Sequence, residues 1–492
     1  MRLFPCGTKT DYSFLKILLP IFALVVVWST MMPLFAGPDE HSNFIKSAAI
    51  VRGEFVGENI GGTPTLSYTT TRVDIDPRFG TALAVPSCFI FASDKPACDV
   101  PVGSTPIVDD PPWTQMGRYP PIAYVVSGVG TIFGPRDLSA YASRFIIGLL
   151  CALFVAVAVY GVRRRGRTAL GLLLALTPGV VFISAVNNPS GVEISAAFVL
   201  WTLLPEMFAG RDTSRLEKVF LGLAGVFLIG ARPLGFALYL TLVGLVACMS
   251  WPNRHEFRVI LKNRLLVAVH SMAMLFSLWW FVWIYSNQTS SKVVDGMPAI
   301  SRNEQLMSVS MHLPNVFEQA FGNYGWLDTP TPTLAFYLGI GMILSVLGSR
   351  WRTTTWNVKW SVTLIAAMSV MFSFFIDLQM YSVSRGFGLQ GRHIMPLLVG
   401  VPILIFSRCE WRGKSELWVA GTWSIVMVWS GAAALRRYAV GIKPLNAFEM
   451  FSRPEWTPKM GIEGTLLLLI VAALAVGFVC VKPFAMRGSR PN

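Results

Sequence analysis

The alternation of long apolar runs with short, basic loops limits the fold of this chain more than any other feature. Apolar runs recur at residues 14–35, 141–162, 168–186, 191–209, 218–231, 233–250, 265–286, 332–349, 360–377, 393–408, 416–434 and 462–481. Most approach the ~20 residues that a helix needs to cross a hydrocarbon core about 30 Å thick. The two shortest meet at Ala231-Arg232-Pro233, where proline ends a helix. Basic residues gather in alternate loops: Arg163, Arg164, Arg165 and Arg167; Arg254, Arg258, Lys262 and Arg264; Arg350, Arg352 and Lys359; Arg408, Arg412 and Lys414. Lys482, Arg487 and Arg490 close the chain. Loops rich in Arg and Lys face the cytoplasm, so this pattern puts both termini there. Only 14% of the residues are charged, against about 25% in a soluble domain. The expected fold is therefore an all-α polytopic protein of the cytoplasmic (plasma) membrane. It has about 12 transmembrane helices, and residues 1–492 form a single membrane domain. The net charge of +14 resides in the loops and gives no indication of nucleic acid.

The first run follows Arg2, Lys9 and Lys16. It is long for the core of a signal peptide, and no small-x-small cleavage pattern follows it, so it reads as an uncleaved span. Residues 36–140 are too polar to span and form a long first extracytoplasmic loop. Within it, the apolar stretch 121–133 reaches only about 20 Å as a helix, short of a crossing. If it did cross, Arg163–Arg167 would lie outside, so it reads as a re-entrant or interfacial helix. Cys88 and Cys98 share this loop; on the extracytoplasmic side they are a disulfide candidate, with two free thiols as the alternative. A Walker loop and a Rossmann glycine pattern are both missing from the sequence, which argues against an ATP-driven pump and a soluble nucleotide-sugar site.

Chemistry-bearing residues fall at the expected outer ends of the spans. Gly37-Pro38-Asp39-Glu40-His41 places two carboxylates and an imidazole just past the first span. Such a carboxylate takes a proton from an acceptor hydroxyl or binds a hard divalent cation such as Mg or Mn; the bland alternative is a solvated loop start. Outer arginines run against the charge bias, and Arg118, Arg144, Arg232, Arg385 and Arg392 all fall there. The planar guanidinium fork matches phosphate oxygens, although each arginine taken singly also fits a snorkelling anchor. Two further motifs lie beside outer span ends. Gly322-Asn323-Tyr324-Gly325-Trp326-Leu327-Asp328-Thr329-Pro330 offers Trp326 and Asp328; Gln390-Gly391-Arg392-His393-Ile394-Met395-Pro396 offers Arg392 and His393. His41 and His393 match no zinc spacing.

These marks together resemble a known family. Pro38-Asp39-Glu40 after the first span, Arg118-Tyr119-Pro120-Pro121, Thr177-Pro178, Gly325-Trp326-Leu327-Asp328, Gly391-Arg392 with Pro396, and Arg437-Tyr438 resemble an uncharacterised bacterial membrane-protein family. That family is similar to the GT-C glycosyltransferases, whose relatives include protein O-mannosyltransferases and lipid A aminoarabinose transferases. The resemblance implies an active site on the extracytoplasmic face and a polyprenyl-phosphate sugar donor. It implies an essential acid at Asp39, with Glu40 beside it as a second catalytic residue. Substrate-binding roles then fall to His41, Arg118, Arg144, Arg232, Trp326, Asp328, Arg392 and His393. The acceptor is an envelope glycan, lipid or protein, and no cofactor is required, with Mg or Mn at Asp39 as an option. Two positions depart from the pattern: Asn43 stands where the family has histidine, and Arg232 where it has lysine. The rival expectation is a non-enzymatic transporter or flippase for a lipid-linked sugar, which needs charges and broken spans at the bilayer midplane.

Overall fold

All twelve apolar runs form helix, but they differ in length and continuity. The computed structural model describes residues 11–61, 70–104, 110–251, 263–287, 300–384, 386–409, 414–442, 446 and 448–481. Arg2, Lys9, Arg254, Arg258, Lys262, Arg385, Arg412, Lys482, Arg487 and Arg490, named above, lie outside them. In chain order the helices are α1 (Asp11–Thr30), α2 (Glu40–Ile50), α3 (Ile122–Gly128), α4 (Asp137–Arg164), α5 (Leu170–Ala175) and α6 (Pro178–Ser184). Then come α7 (Pro189–Phe208), α8 (Arg215–Gly230), α9 (Gly235–Met249), α10 (Arg264–Asn287), α11 (Arg302–Gly322) and α12 (Thr333–Trp351). The last are α13 (Trp356–Ser384), α14 (Gly391–Leu398), α15 (Gly400–Phe406), α16 (Lys414–Val440), α17 (Glu449–Ser452) and α18 (Gly461–Val481). Among the described residues, α4, α7, α10, α12, α13, α16 and α18 are the seven helices long and apolar enough to cross a membrane. The other five expected spans are α1, α8 and α9, which are shorter or less apolar, and two broken helices, α5–α6 and α14–α15. The protein is thus a multi-pass, mainly helical membrane protein.

The breaks have local causes. Pro178 has no N–H to donate, and it biases Thr177 away from helical backbone. Thr177 then caps α6, its Oγ1 accepting the N–H of Val180 at 3.3 Å. In an apolar surround each freed backbone group needs a partner, and indoles supply it. Trp423 Nε1 donates to the Leu176 carbonyl at 2.9 Å, and Trp201 Nε1 donates to the Pro396 carbonyl at 2.8 Å. Neighbour packing runs α16–α18–α1–α4–α7–α8–α10, while α14 and α15 insert against α7, with α5, α11 and α13 around them.

The described residues between 36 and 140 build a cap. It holds α2, α3, three 3₁₀ turns (Pro77–Leu83, Val85–Cys88 and Val129–Phe133) and an antiparallel sheet in the order β1 (Glu58–Gly61), β2 (Thr70–Arg72), β3 (Trp113–Thr114). Glu58 pairs with Arg72 and Thr71 with Thr114. The stretch 121–133 is α3 followed by a 3₁₀ turn, packed on α2 and α4. Phe35, Phe44, Ile45, Val73, Phe79 and Val85 are buried together in one cluster. Although α2 is polar in sequence, it is buried on nearly every side. Its polar groups find partners, as buried ones must: Asn43 Oδ1 accepts from Tyr124 Oη at 2.9 Å, and Ser47 Oγ meets Ser127 Oγ at 2.7 Å.

Residues 287–333 read as a plain loop in the sequence, whereas most of this stretch is α11 and a hairpin, β4 (Asn323–Tyr324) with β5 (Thr329–Pro330). Ser301 caps α11, its Oγ accepting from Glu304 N at 3.2 Å, and Ser-x-x-Glu is a helix-start signature. This helix packs on α13 and α14. Its Gln319 Oε1 accepts the N–H of Gly391 at 3.0 Å, which sets where α14 begins. The Gly325-Trp326-Leu327-Asp328 motif forms the hairpin loop. Asn323 closes it by donating to the Leu327 carbonyl (3.0 Å) and accepting from Thr329 N (3.1 Å). Gly325 has φ +65°, and a Cβ there would lie 2.4 Å from Asp328 Oδ1.

Candidate functional site

Polar side chains from five parts of the chain converge beside the start of α2. Asp39, the residue before the helix, has φ 59°. This left-handed backbone is one that few non-glycine residues adopt, Asp and Asn chief among them, and strain of this kind clusters at functional sites. Its carboxylate is partly exposed (27%) and accepts from Arg392 Nη2 at 2.5 Å. Arg392 Nη1 also donates to the Pro38 carbonyl at 3.3 Å, which the Asn188 amide shares at 2.9 Å. The α14 start therefore grips the Gly37–Asp39 turn from one side and the start of α7 grips it from the other.

A second cation stands nearby. Arg232, between α8 and α9, lies 3.5 Å from Glu193 Oε2 and donates to Ser190 Oγ at 3.3 Å. Its guanidinium carbon is 5.9 Å from the centre of the Tyr119 ring. Arg232 and Arg392 both lie within electrostatic reach of Glu193 and of His393. The Nδ1 of His393 accepts the N–H of Gln390 at 3.2 Å. In a neutral ring the proton then sits on Nε2. Among the described residues, this buried Nε2 and the buried Nε of Arg392 have no hydrogen-bond partner. Uncompensated donors are costly to bury, and here they sit where two guanidiniums already favour an anion.

Glu40 and Arg144 occupy a different role from the one expected. Both are 1% exposed. Arg144 Nε and Nη2 hold the two Glu40 oxygens at 2.6 and 2.7 Å. The remaining Arg144 donors reach the carbonyls of Ser29 (2.8 Å), Met32 (3.3 Å) and Pro33 (2.7 Å). All five guanidinium N–H groups are thereby used. Glu40 also accepts from Gly37 N (3.1 Å) and Asn187 N (3.0 Å), filling its capacity of about four bonds. The pair clamps the end of α1 to the start of α2 and leaves neither group a free donor or acceptor for substrate.

The other candidates are distributed around this centre. His41 packs on Trp326, with ring centroids 5.2 Å apart, and Trp326 Nε1 donates to the Phe35 carbonyl at 3.1 Å. Burial pushes the His41 imidazole down from 6.5 to about 4, outweighing the opposing pull of Asp39 and Glu40. Between those two pH values the unfolded chain binds a proton that the folded one refuses, so stability rises with pH across the window and is lost on acidification. The thermal midpoint is expected to fall as pH drops from 6.5 toward 4, and more steeply in wild type than in His41→Gln; equal slopes would sink this attribution. The Arg118 carbonyl accepts from Trp280 Nε1 at 3.0 Å, one residue before the Tyr119 whose ring faces Arg232. Asp328 belongs to another cluster. Its Oδ2 accepts from Arg437 Nη2 at 2.8 Å, and Arg437 also donates to the carbonyls of Phe89, Ala92 and Lys95. These three carbonyls lie inside the loop closed by the Cys88–Cys98 disulfide, whose Cα atoms are 6.3 Å apart.

Four buried residues, Glu193, Asn187, Asn188 and Lys46, were not among those selected from the sequence. Glu193 carries a carboxylate beside Arg232, Asn187 N donates to Glu40 Oε1, and the Asn188 amide donates to the Pro38 carbonyl. Lys46 on α2 donates to the carbonyls of Phe55 and Gly117, and burial pushes its ammonium down to about 7. The signal for Glu193 was present, since an acid four residues after Pro189 at a span start is an ionisable group at membrane depth. No group of three or more His, Cys, Asp or Glu able to hold a metal occurs among the described residues.

Among curated proteins no relative matches the chain. Two crystal structures of ArnT from Cupriavidus metallidurans are similar to it, one bound to undecaprenyl phosphate and one in the apo state. Each is 16% identical over 96% of this chain and 78% of the other, with TM-scores of 0.45 and 0.42. The model of the predicted membrane protein family DUF2142 matches residues 22–401, and the chain belongs to that family.

Proposed function

We propose that this protein is a membrane glycosyltransferase that moves a sugar from a polyprenyl-phosphate donor to an envelope glycan, lipid or protein acceptor. The observation that carries this reading is the pairing of a strained, partly exposed Asp39 with Arg392, beside Arg232 and the unpartnered donors of Arg392 and His393. Charged donors of this kind suit a phosphate, and the adjacent carboxylate suits an attacking hydroxyl. In the reaction, the acceptor oxygen attacks the anomeric carbon while the bond from that carbon to the phosphate oxygen breaks. The electron pair leaves with the polyprenyl phosphate, and the hydroxyl proton passes to Asp39. Arg392, Arg232 and the His393 Nε2–H stabilise the departing phosphate, and no step requires a metal. The donor phosphate also competes with Asp39 for Arg392, so donor binding releases the carboxylate for its task. Glu40 and Arg144 act as the positioning pair that fixes Asp39. The site faces the extracytoplasmic side of the cytoplasmic membrane, a placement supported by the Arg163–Arg167 loop at the far end of α4 and by the disulfide in the cap.

The test uses protein in lipid nanodiscs with a panel of polyprenyl-phosphate sugars. One donor is expected to stabilise the wild type and to release polyprenyl phosphate. Arg392→Ala is expected to weaken that binding by about 10- to 100-fold, the worth of a charged hydrogen bond. The carrier reading draws on the broken helices α5–α6 and α14–α15. Against it, the carbonyls freed there are held by the indoles of Trp423 and Trp201, and the Asp39–Arg392 centre lies at helix starts. Donor binding without turnover under any acceptor would favour the carrier.

A further inference from the structure

A cleft of about 170 Å³ opens between the disulfide loop, the start of α4 and the segment between α17 and α18. Pro33 and Leu34 lie at one side of it and residues 98–101 at another. The chemistry of its wall comes from Asp99, Asp137, Tyr141, Trp456 and Lys459. Two carboxylates against one ammonium, with no arginine in the lining, disfavour a phosphate or carboxylate ligand. Two aromatic rings and two carboxylates in one wall suit a ring that is apolar on its C–H face and hydroxylated at its edge. The wall is built in advance on both sides. Asp137 Oδ1 is held by Val102 N at 2.8 Å, and Trp456 is buried with its ring 6.4 Å from that of Tyr438. The Lys459 ammonium lies 4.7 Å from the centre of the Tyr141 ring, a cation–π contact on a flexible, exposed stem that a ligand can displace or borrow as a donor. The cleft also connects to the candidate site, because one nitrogen of Arg144 bonds both the Pro33 carbonyl and Glu40 Oε2, each at 2.7 Å.

We propose that this cleft is a saccharide site taking a neutral or amino-bearing pyranose unit of a glycan; its use as an acceptor subsite rests on the transferase reading. Saturation-transfer NMR on the full-length protein in nanodiscs, with glucose, N-acetylglucosamine, glucosamine and their disaccharides, tests it without any donor present. At least one sugar is expected to bind, and the exposed double variant Asp99→Ala/Lys459→Ala is expected to weaken it at least about tenfold. Arg392→Ala is expected to leave sugar binding unchanged, and acetylated and free amines separate the two ligand types. Silence from the whole panel overturns the proposal, as does binding undiminished in the double variant. Sugar binding that survives alongside a failed donor assay would remove the transferase reading and keep the saccharide site.

Discussion

Asp39→Asn is expected to lower sugar transfer by about 10²- to 10⁴-fold, the usual contribution of a general base, while leaving donor binding at or above the wild-type level, because a neutral amide competes less with the donor phosphate for Arg392. Asparagine is the informative replacement because it tolerates the left-handed backbone that Asp39 adopts (φ 59°). It also keeps an oxygen within reach of Arg392 Nη2, so the turn and the arginine stay in place while the proton acceptor is removed. Release of polyprenyl phosphate from the bound donor is the measurement, with binding followed in parallel by thermal stabilisation. Transfer at a near wild-type rate would exclude Asp39 as the base. Loss of binding together with turnover would instead mean that the Asp39–Arg392 pair is needed to hold the donor.

Glu40→Gln and Arg144→Met are each expected to destabilise the folded protein by about 3–5 kcal/mol, because either change strands a buried charge. The double variant is expected to recover part of that loss, since neutral replacements at both positions leave no stranded charge. Unfolding in mixed micelles, with the wild type and the three variants compared as a cycle, reads the coupling directly. If each single change is mild and the effects add, the clamp reading is wrong and the pair is free to serve the chemistry. This separates a positioning role from contact with substrate, because a positioning loss appears in stability and a contact loss appears in turnover at unchanged stability.

The apolar runs were legible as helices because hydropathy reports burial in lipid directly. The breaks at Thr177-Pro178 and within 393–408 were harder to see, since an unbroken apolar run says nothing of where a neighbouring indole will accept a bent backbone. Polarity misled in two places. Ser42, Asn43, Lys46 and Ser47 make α2 look solvated, yet the helix is buried because Ser127, Tyr124 and the Gly117 carbonyl supply partners. Arg302, Asn303, Glu304 and Gln305 made α11 look like loop, although Ser301-x-x-Glu304 marked its start. At the site, Asp39, Arg232, Arg392 and His393 were singled out from the sequence, and the structure brings them together. The commitment of Glu40 to Arg144 was not visible, because the partners stand 104 residues apart and one sequence carries no record of long-range pairing. The same holds for Asp328, whose neighbour is Arg437 and not the Asp39 cluster.

The Arg437 cluster bears on the order in which this protein is made. The carbonyls that its guanidinium fills, inside the disulfide loop, precede it by 342 to 348 residues. At ribosomal speeds of about 5–20 residues per second, that interval is on the order of half a minute. Throughout it, the loop waits without the side chain that bonds three of its carbonyls, and Tyr438, whose carbonyl accepts from Ala97 N at 2.9 Å, arrives with Arg437. The cap is thus among the first segments to leave the ribosome and among the last to mature, which makes the window before α16 inserts the period when the nascent chain is most open to misassembly and proteolysis.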